Sequence, residues 1–157
     1  MIEPEWIKKL NGNVIITPHR KEFETLFHDV ILSEAKNPNQ RKEILRLASL
    51  AQDDNVSQMA KKYKCTILLK GQIDIVCSLS QCVQIEGGNA GMTKGGTGDV
   101  LAGLVAALYC KNDGFLAACA GSFINKKAGD SLFEKVGPYF NTSDLADEIP
   151  RVMKSLI

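Results

Sequence analysis

Apolar residues fall first into short unbroken runs and later into long helical spacings. Val14-Ile15-Ile16-Thr17 and Thr66-Ile67-Leu68-Leu69 are continuous apolar runs, the pattern of strands buried on both faces. Pro18 closes the first run and Lys70-Gly71 the second. Ile73 to Cys77 and Cys82 to Ile85 flank Ser78-Leu79-Ser80-Gln81 and predict a hairpin. Helical spacing fills the intervals. Pro4 to Leu10 predicts a short helix with Pro4 near its first turn, and 21–27 predicts a second. Ser33 to Gln40, polar and holding Pro38, reads as a loop. Ile44, Leu45, Leu47, Ala48 and Ala51 predict a helix over 40–51. Asp53-Asp54-Asn55 then interrupts and caps, and Val56 to Tyr63 forms the next helix.

Helix dominates the remainder, over 98–110, 115–136 and 143–156. Thr142 or Ser143 is the expected N-cap of the last helix, and Pro150 should kink or break it. Strand–helix–strand order followed by helices predicts an α/β fold, with a partial central sheet flanked by helices and a helical C-terminal region. The run Val100 to Leu108 is apolar on nearly every helical face, which calls for burial almost all round. Some four strands make a thin sheet for that purpose. The 157 residues therefore read as a single domain that is part of a larger one, or one completed by a partner, with a homo-oligomer expected.

Composition narrows the function classes. Apolar residues make up 45% and charged residues 24%, ordinary for a globular protein. The net charge is +1 with mixed signs, which gives no electrostatic case for nucleic acid or an anionic membrane. The first ten residues carry Glu3, Glu5, Lys8 and Lys9, unlike a signal peptide, and the apolar stretch 100–110 is too short to span a bilayer. A cytoplasmic protein is expected. The cysteines at 65, 77, 82, 110 and 119 form no CxxC pair, and with two histidines they complete no zinc-like cluster. Cys65, Cys77 and Cys82 read as small buried hydrophobes in a reducing compartment.

The chemistry concentrates in Thr93-Lys94-Gly95-Gly96-Thr97-Gly98-Asp99. Three glycines in four positions allow a tight turn with amides pointing inward. The loop runs into a helix whose first amides are unpaired and whose dipole favours an anion. This is a phosphate cradle, but neither a Walker loop nor GxGxxG. Asp99 is a poor phosphate ligand because like charges repel. It is either a general base for a hydroxyl beside the phosphate or a first-turn acid that stabilises the helix.

The stretch Asn89-Ala90-Gly91-Met92-Thr93-Lys94-Gly95-Gly96-Thr97-Gly98-Asp99-Val100-Leu101-Ala102-Gly103 resembles the signature of the ADP/ATP-dependent NAD(P)H-hydrate dehydratases, members of the ribokinase-like superfamily. Thr17-Pro18-His19-Arg20-Lys21-Glu22-Phe23, Leu69-Lys70-Gly71 and Thr142-Ser143-Asp144-Leu145 resemble three further blocks, in order. The resemblance spans nearly the whole chain. It implies a ribokinase-like fold, of which this chain is the C-terminal portion. It also implies removal of water from hydrated NADH or NADPH at the expense of ADP or ATP, by transient phosphorylation of the ring hydroxyl. Asp99 would be the base and touch the hydrated dinucleotide, which His19 would also contact. Lys70, Gly71, Gln72, Ile73, Asp74, Asn89, Thr93, Gly95, Gly96, Thr97 and Gly98 would contact the nucleotide. Mg2+ is implied by the nucleotide and by no ligand cluster of the protein.

Two departures from the family pattern stand out. Lys94 replaces a small or hydroxyl residue and is either a phosphate contact or solvated; Asn125-Lys126 stands where many relatives have a histidine. The role of Glu22 stays open. Local readings compete with the resemblance: His19 capping a strand end, and Lys70-Gly71 as a turn with a solvated lysine. Two other functions remain in play. One is a kinase of the same superfamily acting on a sugar or vitamin-precursor alcohol. The other is a truncated nucleotide-binding module without turnover.

Overall fold

The computed structural model describes residues 4–10, 12–33 and 52–157. The expected loop over 33–40 and helix over 40–51 lie, but for Ser33, outside these residues. In chain order the elements are α1 (Glu5–Lys8), β1 (Ile15–Ile16), α2 (Arg20–Ser33), α3 (Gln52–Tyr63), β2 (Thr66–Leu69), β3 (Asp74–Cys77), β4 (Cys82–Ile85), α4 (Thr97–Tyr109), α5 (Gly114–Val136) and α6 (Thr142–Ser155), with a 3-10 turn at Ala90–Met92 before α4. The sheet order is β1-β2-β3-β4. β1 pairs parallel with β2, Ile15 opposite Thr66, and β2 pairs antiparallel with β3, Leu68 opposite Val76. The α/β class is as the sequence predicts. No helix among the described residues is long and apolar enough to cross a membrane.

The chain forms two compact units, Met1–Gly71 with Ile75–Val83, and Gln72–Asp74 with Gln84–Ile157. In the first, β2 is buried throughout, as its unbroken apolar run requires, and so are Ile75–Cys77 of β3. They share a core with Ile7, Phe23, Phe27, Val56, Met59 and Tyr63 from the helices. β1 is shorter than predicted and only half-buried. α3 begins at Gln52, so 53–55 continues the helix instead of interrupting it.

In the second unit, Ile124, Ala128 and Leu132 of α5 pack with Phe140, Leu145, Ile149 and Val152. Two expectations need correction here. The N-cap of α6 is Asn141, whose side chain accepts from the amides of Ser143 and Asp144, while Asp144 accepts the Asn141 amide in return. This reciprocal box places the cap one residue earlier than expected. Pro150 lies inside α6 without ending it. α4 is buried on one side only: Leu101 and Val105 are covered, Leu104 and Leu108 half-covered, while Ala102, Gly103, Ala106 and Ala107 face solvent. Its outer face is built of small residues, whose exposure costs little compared with leucine or valine.

The cysteine reading is also corrected. Cys77 and Cys82 form a disulfide with a Cα–Cα distance of 4.1 Å. The Ser78 amide donates to the Gln81 carbonyl at 2.8 Å, closing the hairpin turn. The next pair outward in an antiparallel hairpin is a close, non-hydrogen-bonded one, and it holds the two cysteines. Cys65 keeps the expected role; burial pushes its thiol up to about 11.

Candidate functional site

In the first unit, the amide of Glu22 donates to His19 Nδ1 (3.1 Å) and the amide of His19 donates to a Glu22 carboxylate oxygen (2.7 Å). His19 thus caps α2 as the acceptor and Glu22 closes a reciprocal box. Because Nδ1 accepts, a neutral His19 carries its proton on Nε2. The Lys70 amide donates to the Pro18 carbonyl at 2.8 Å, and its ammonium lies 3.8 Å from Glu22. The Thr-Pro-His block and the end of β2 are therefore one local assembly. The local reading of His19 as a cap is realised; its ring is exposed, with Nε2 3.5 Å from a Glu22 carboxylate oxygen.

In the second unit, the glycine loop is shaped by its own side chains. Asn89 caps the 3-10 turn, accepting from the Gly91 amide at 3.0 Å and donating to the Gly129 carbonyl at 2.9 Å. The Thr93 hydroxyl donates to the Ala90 carbonyl. The Thr97 hydroxyl lies 2.7 Å from the Met92 carbonyl and 2.9 Å from that of Lys94. The Lys94 ammonium donates to the carbonyls of Pro138 and Phe140 and sits 4.8 Å from the Phe140 ring centroid. The residue is exposed, but its ammonium is engaged by these two carbonyls. It braces the loop against the α5–α6 turn, where the end of α5 presents unpaired carbonyls that favour a cation.

Two close approaches fix the loop further. Gly96 has φ +89°, and a Cβ there would meet Thr142 Oγ1 at 3.0 Å; that hydroxyl donates to the Gly95 carbonyl at 2.8 Å. A Cβ on Gly91 would lie 2.6 Å from the Phe140 ring. Gly95 differs, since a Cβ there meets nothing within 4 Å. Among the described residues the amides of Gly95, Gly96 and Gly98 have no hydrogen-bond acceptor. Asp99 follows in the first turn of α4 and is exposed. The polar side chains of Asn89, Thr93 and Thr97 are thus spent on the loop's shape. What the loop offers a ligand is backbone N–H groups without acceptors, with open space beside Gly95, a fit for phosphate oxygens. No group of three or more His, Cys, Asp or Glu that could hold a metal occurs among the described residues.

Gln72 and Ile73 are exposed in the turn between β2 and β3, but Asp74 is 5% exposed. Its carboxylate accepts from the Ser122 hydroxyl (2.7 Å) and pairs with the Lys126 ammonium (3.4 Å). Lys126 also donates to the carbonyls of Gln72 and Gly87, each at 3.0 Å. Asp130, one turn further, accepts from the Gly88 amide at 3.1 Å and from Asn89 Nδ2 at 3.3 Å. Sequence reasoning did not find Ser122 or Asp130 and gave Lys126 no role. Their signal was the i, i+4, i+8 spacing of polar residues on one face of a largely apolar helix.

A family model described as NAD(P)H-hydrate dehydratase matches residues 2–151. The chain is 41% identical over 146 residues to the bifunctional NAD(P)H-hydrate repair enzyme of Methanocaldococcus jannaschii, covering 93% of this chain and 24% of that protein. It is 41% identical over 145 residues to the ADP-dependent (S)-NAD(P)H-hydrate dehydratase of Nitrosopumilus maritimus, covering 92% of this chain and 46% of that one. The chain therefore spans about half, or less, of these curated relatives. In fold it is similar to the ADP/ATP-dependent NAD(P)H-hydrate dehydratase of Bacillus subtilis co-crystallised with ATP/Mg2+, with a TM-score of 0.73, 23% identity, and coverage of 92% of this chain and 48% of that one. A ribokinase-like superfamily protein of Enterococcus faecalis gives 0.68 at 24% identity, covering 97% of this chain and 50% of that one.

Proposed function

This chain belongs to the NAD(P)H-hydrate dehydratase family, and from that premise we propose that it serves the nucleotide-dependent repair of hydrated NADH or NADPH. The observation that carries the reading is the glycine loop: amides at Gly95, Gly96 and Gly98 that find no acceptor among the described residues, open space beside Gly95, and Asp99 one position beyond. Such amides, held in place beforehand, stabilise charge on a transferring phosphoryl group.

In this reading the ring hydroxyl of the hydrated dinucleotide attacks the terminal phosphorus of ADP or ATP and gives its proton to Asp99. The bond from that phosphorus to the bridging oxygen breaks, releasing AMP or ADP. Departure of phosphate from the ring carbon, with loss of a proton from the neighbouring carbon, restores the double bond. Asp99 acts because its carboxylate stands beside the phosphate cradle without being part of it. His19 contacts the dinucleotide through its exposed ring. The turn 70–74 contacts the nucleotide through its backbone and exposed side chains, since the Asp74 carboxylate is already engaged. Mg2+ supplies charge neutralisation and arrives with the nucleotide's phosphates. We read residues 1–157 as one portion of a ribokinase-like domain that works as a homo-oligomer in the cytoplasm; light scattering tests the assembly.

The test is incubation with hydrated NADH plus ADP, or plus ATP, following the return of reduced-nicotinamide absorbance, with ADP binding followed by calorimetry. Recovery that Asp99→Asn abolishes while leaving ADP binding intact is the expected result. Recovery undiminished in Asp99→Asn overturns the base assignment. A stable phosphorylated product from a simple alcohol would point instead to a kinase, and absence of ADP binding would sink the nucleotide reading.

A further inference from the structure

Three polar residues on one face of α5 reach different parts of the chain that the nucleotide reading depends on. Ser122, Lys126 and Asp130 stand one helical turn apart. Ser122 holds Asp74. Lys126 holds Asp74 and the carbonyls of Gln72 and Gly87. Asp130 holds Gly88 and Asn89. Asn89 in turn caps the 3-10 turn that leads into the glycine loop. The Lys126 stem lies directly beneath the 87–88 backbone: a Cβ on Gly88 would meet Lys126 Cγ at 3.3 Å and Nζ at 3.7 Å, and one on Gly87 would meet Lys126 Cβ at 3.6 Å.

This arrangement costs more than packing alone would require. Lys126 is 6% exposed and Asp74 is 5% exposed. Burying two charges carries a desolvation penalty that an apolar pair of similar volume avoids. An apolar pair, however, would leave the Gln72 and Gly87 carbonyls without the donor they share. An ammonium, with three donors on one atom, can hold both carbonyls and the carboxylate together.

We infer that Lys126 is a positioning residue for the nucleotide site, holding the 72–74 turn and the 87–89 segment at a fixed separation so that both face one ligand. The inference rests on the nucleotide-dependent reading above. Asp74 supplies the compensating charge, and Ser122 and Asp130 fix the ends of the span.

The experiment compares ADP affinity by calorimetry with thermal midpoint in four proteins: wild type, Lys126→Met, Asp74→Asn/Lys126→Met and Glu148→Gln. Glu148, 2% exposed, is a buried charge of the same unit with partners Ser131, Lys135 and Arg151. Lys126→Met takes the ammonium away from Asp74 and should lower both midpoint and affinity. The double variant also removes the Asp74 charge and should recover most of the midpoint, yet still bind ADP at least tenfold more weakly than wild type. Glu148→Gln should lower the midpoint and keep the wild-type affinity. A double variant with wild-type affinity overturns the inference. So does equal weakening in Glu148→Gln, which would make affinity a mere follower of stability. Should Lys126→Met not fold, the double variant decides; a double variant that also fails to fold shows the pair serving the fold itself and overturns the assignment. Wild type that binds no ADP is a different failure. It removes the nucleotide-dependent reading, and the positioning role with it.

Discussion

Gly95 and Gly96 are neighbours in the loop, yet an added methyl should act on them in opposite ways. At Gly96 the φ of +89° is costly for an L-residue, about 1–2 kcal/mol. The new Cβ would lie 3.0 Å from Thr142 Oγ1 and 3.1 Å from its Cγ2, so Thr142 must turn away. That breaks its 2.8 Å hydrogen bond to the Gly95 carbonyl, worth about 0.5–1.5 kcal/mol. The reduced freedom of the unfolded chain returns about 0.4–1 kcal/mol. The net expectation for Gly96→Ala is a loss of about 2 kcal/mol, or a fall in melting temperature of about 4–8 °C for a chain of this size. At Gly95 nothing lies within 4 Å of the added methyl. Gly95→Ala should melt within about 1 °C of wild type. Its methyl would instead occupy the open side where the amides face a ligand, so ADP affinity should fall at least tenfold. Differential scanning calorimetry and titration calorimetry on both variants provide the test. Equal melting temperatures for the two, or a Gly95→Ala protein that binds ADP as wild type does, would refute this account of the loop.

Other expectations follow from single contacts. Hydrogen bonding from Lys135, with Ser131 and Arg151, holds the Glu148 carboxyl at about 2 against burial. A depressed carboxyl contributes stability that is complete above its unfolded value of 4.5 and is lost as pH falls toward 2. Since Lys135 and Arg151 are exposed and screened, the loss should be only about 1 kcal/mol, and Glu148→Gln should flatten that part of a pH–stability curve. Lys94→Met should weaken ADP binding several-fold by loosening the loop, without the steep salt dependence expected of a direct phosphate contact. Alkylation of the denatured, unreduced protein should label Cys65, Cys110 and Cys119 only, and reduction should add Cys77 and Cys82; five labels before reduction would exclude the hairpin disulfide.

The sequence made the α/β class, the buried strands and the glycine loop legible because each depends on local pattern. An unbroken apolar run at Thr66–Leu69 has one plausible fate, and three glycines before an apolar helix have another. What escaped depends on register and on distance along the chain. The disulfide becomes visible only once Ser78 and Gln81 are known to close the turn, which makes 77 and 82 the next opposed pair. Lys94 could not be placed because its acceptors lie 44 and 46 residues away, at Pro138 and Phe140. Lys126 is separated by 54 residues from Gln72 and by 39 from Gly87. Of the kink or break expected at Pro150, the break does not occur, because α6 holds the proline at an exposed position.

The loop's reliance on main-chain donors has a consequence for control. Amide N–H groups carry no proton that titrates near neutrality and no atom that cellular enzymes acetylate, phosphorylate or oxidise. A phosphate held by Gly95, Gly96 and Gly98 is out of reach of chemistry that acts on side chains directly. Covalent regulation would have to work through geometry, by loosening what keeps the backbone in shape. Acetylation of Lys94 would release the turn at 138–140 while leaving every donor in the cradle chemically intact.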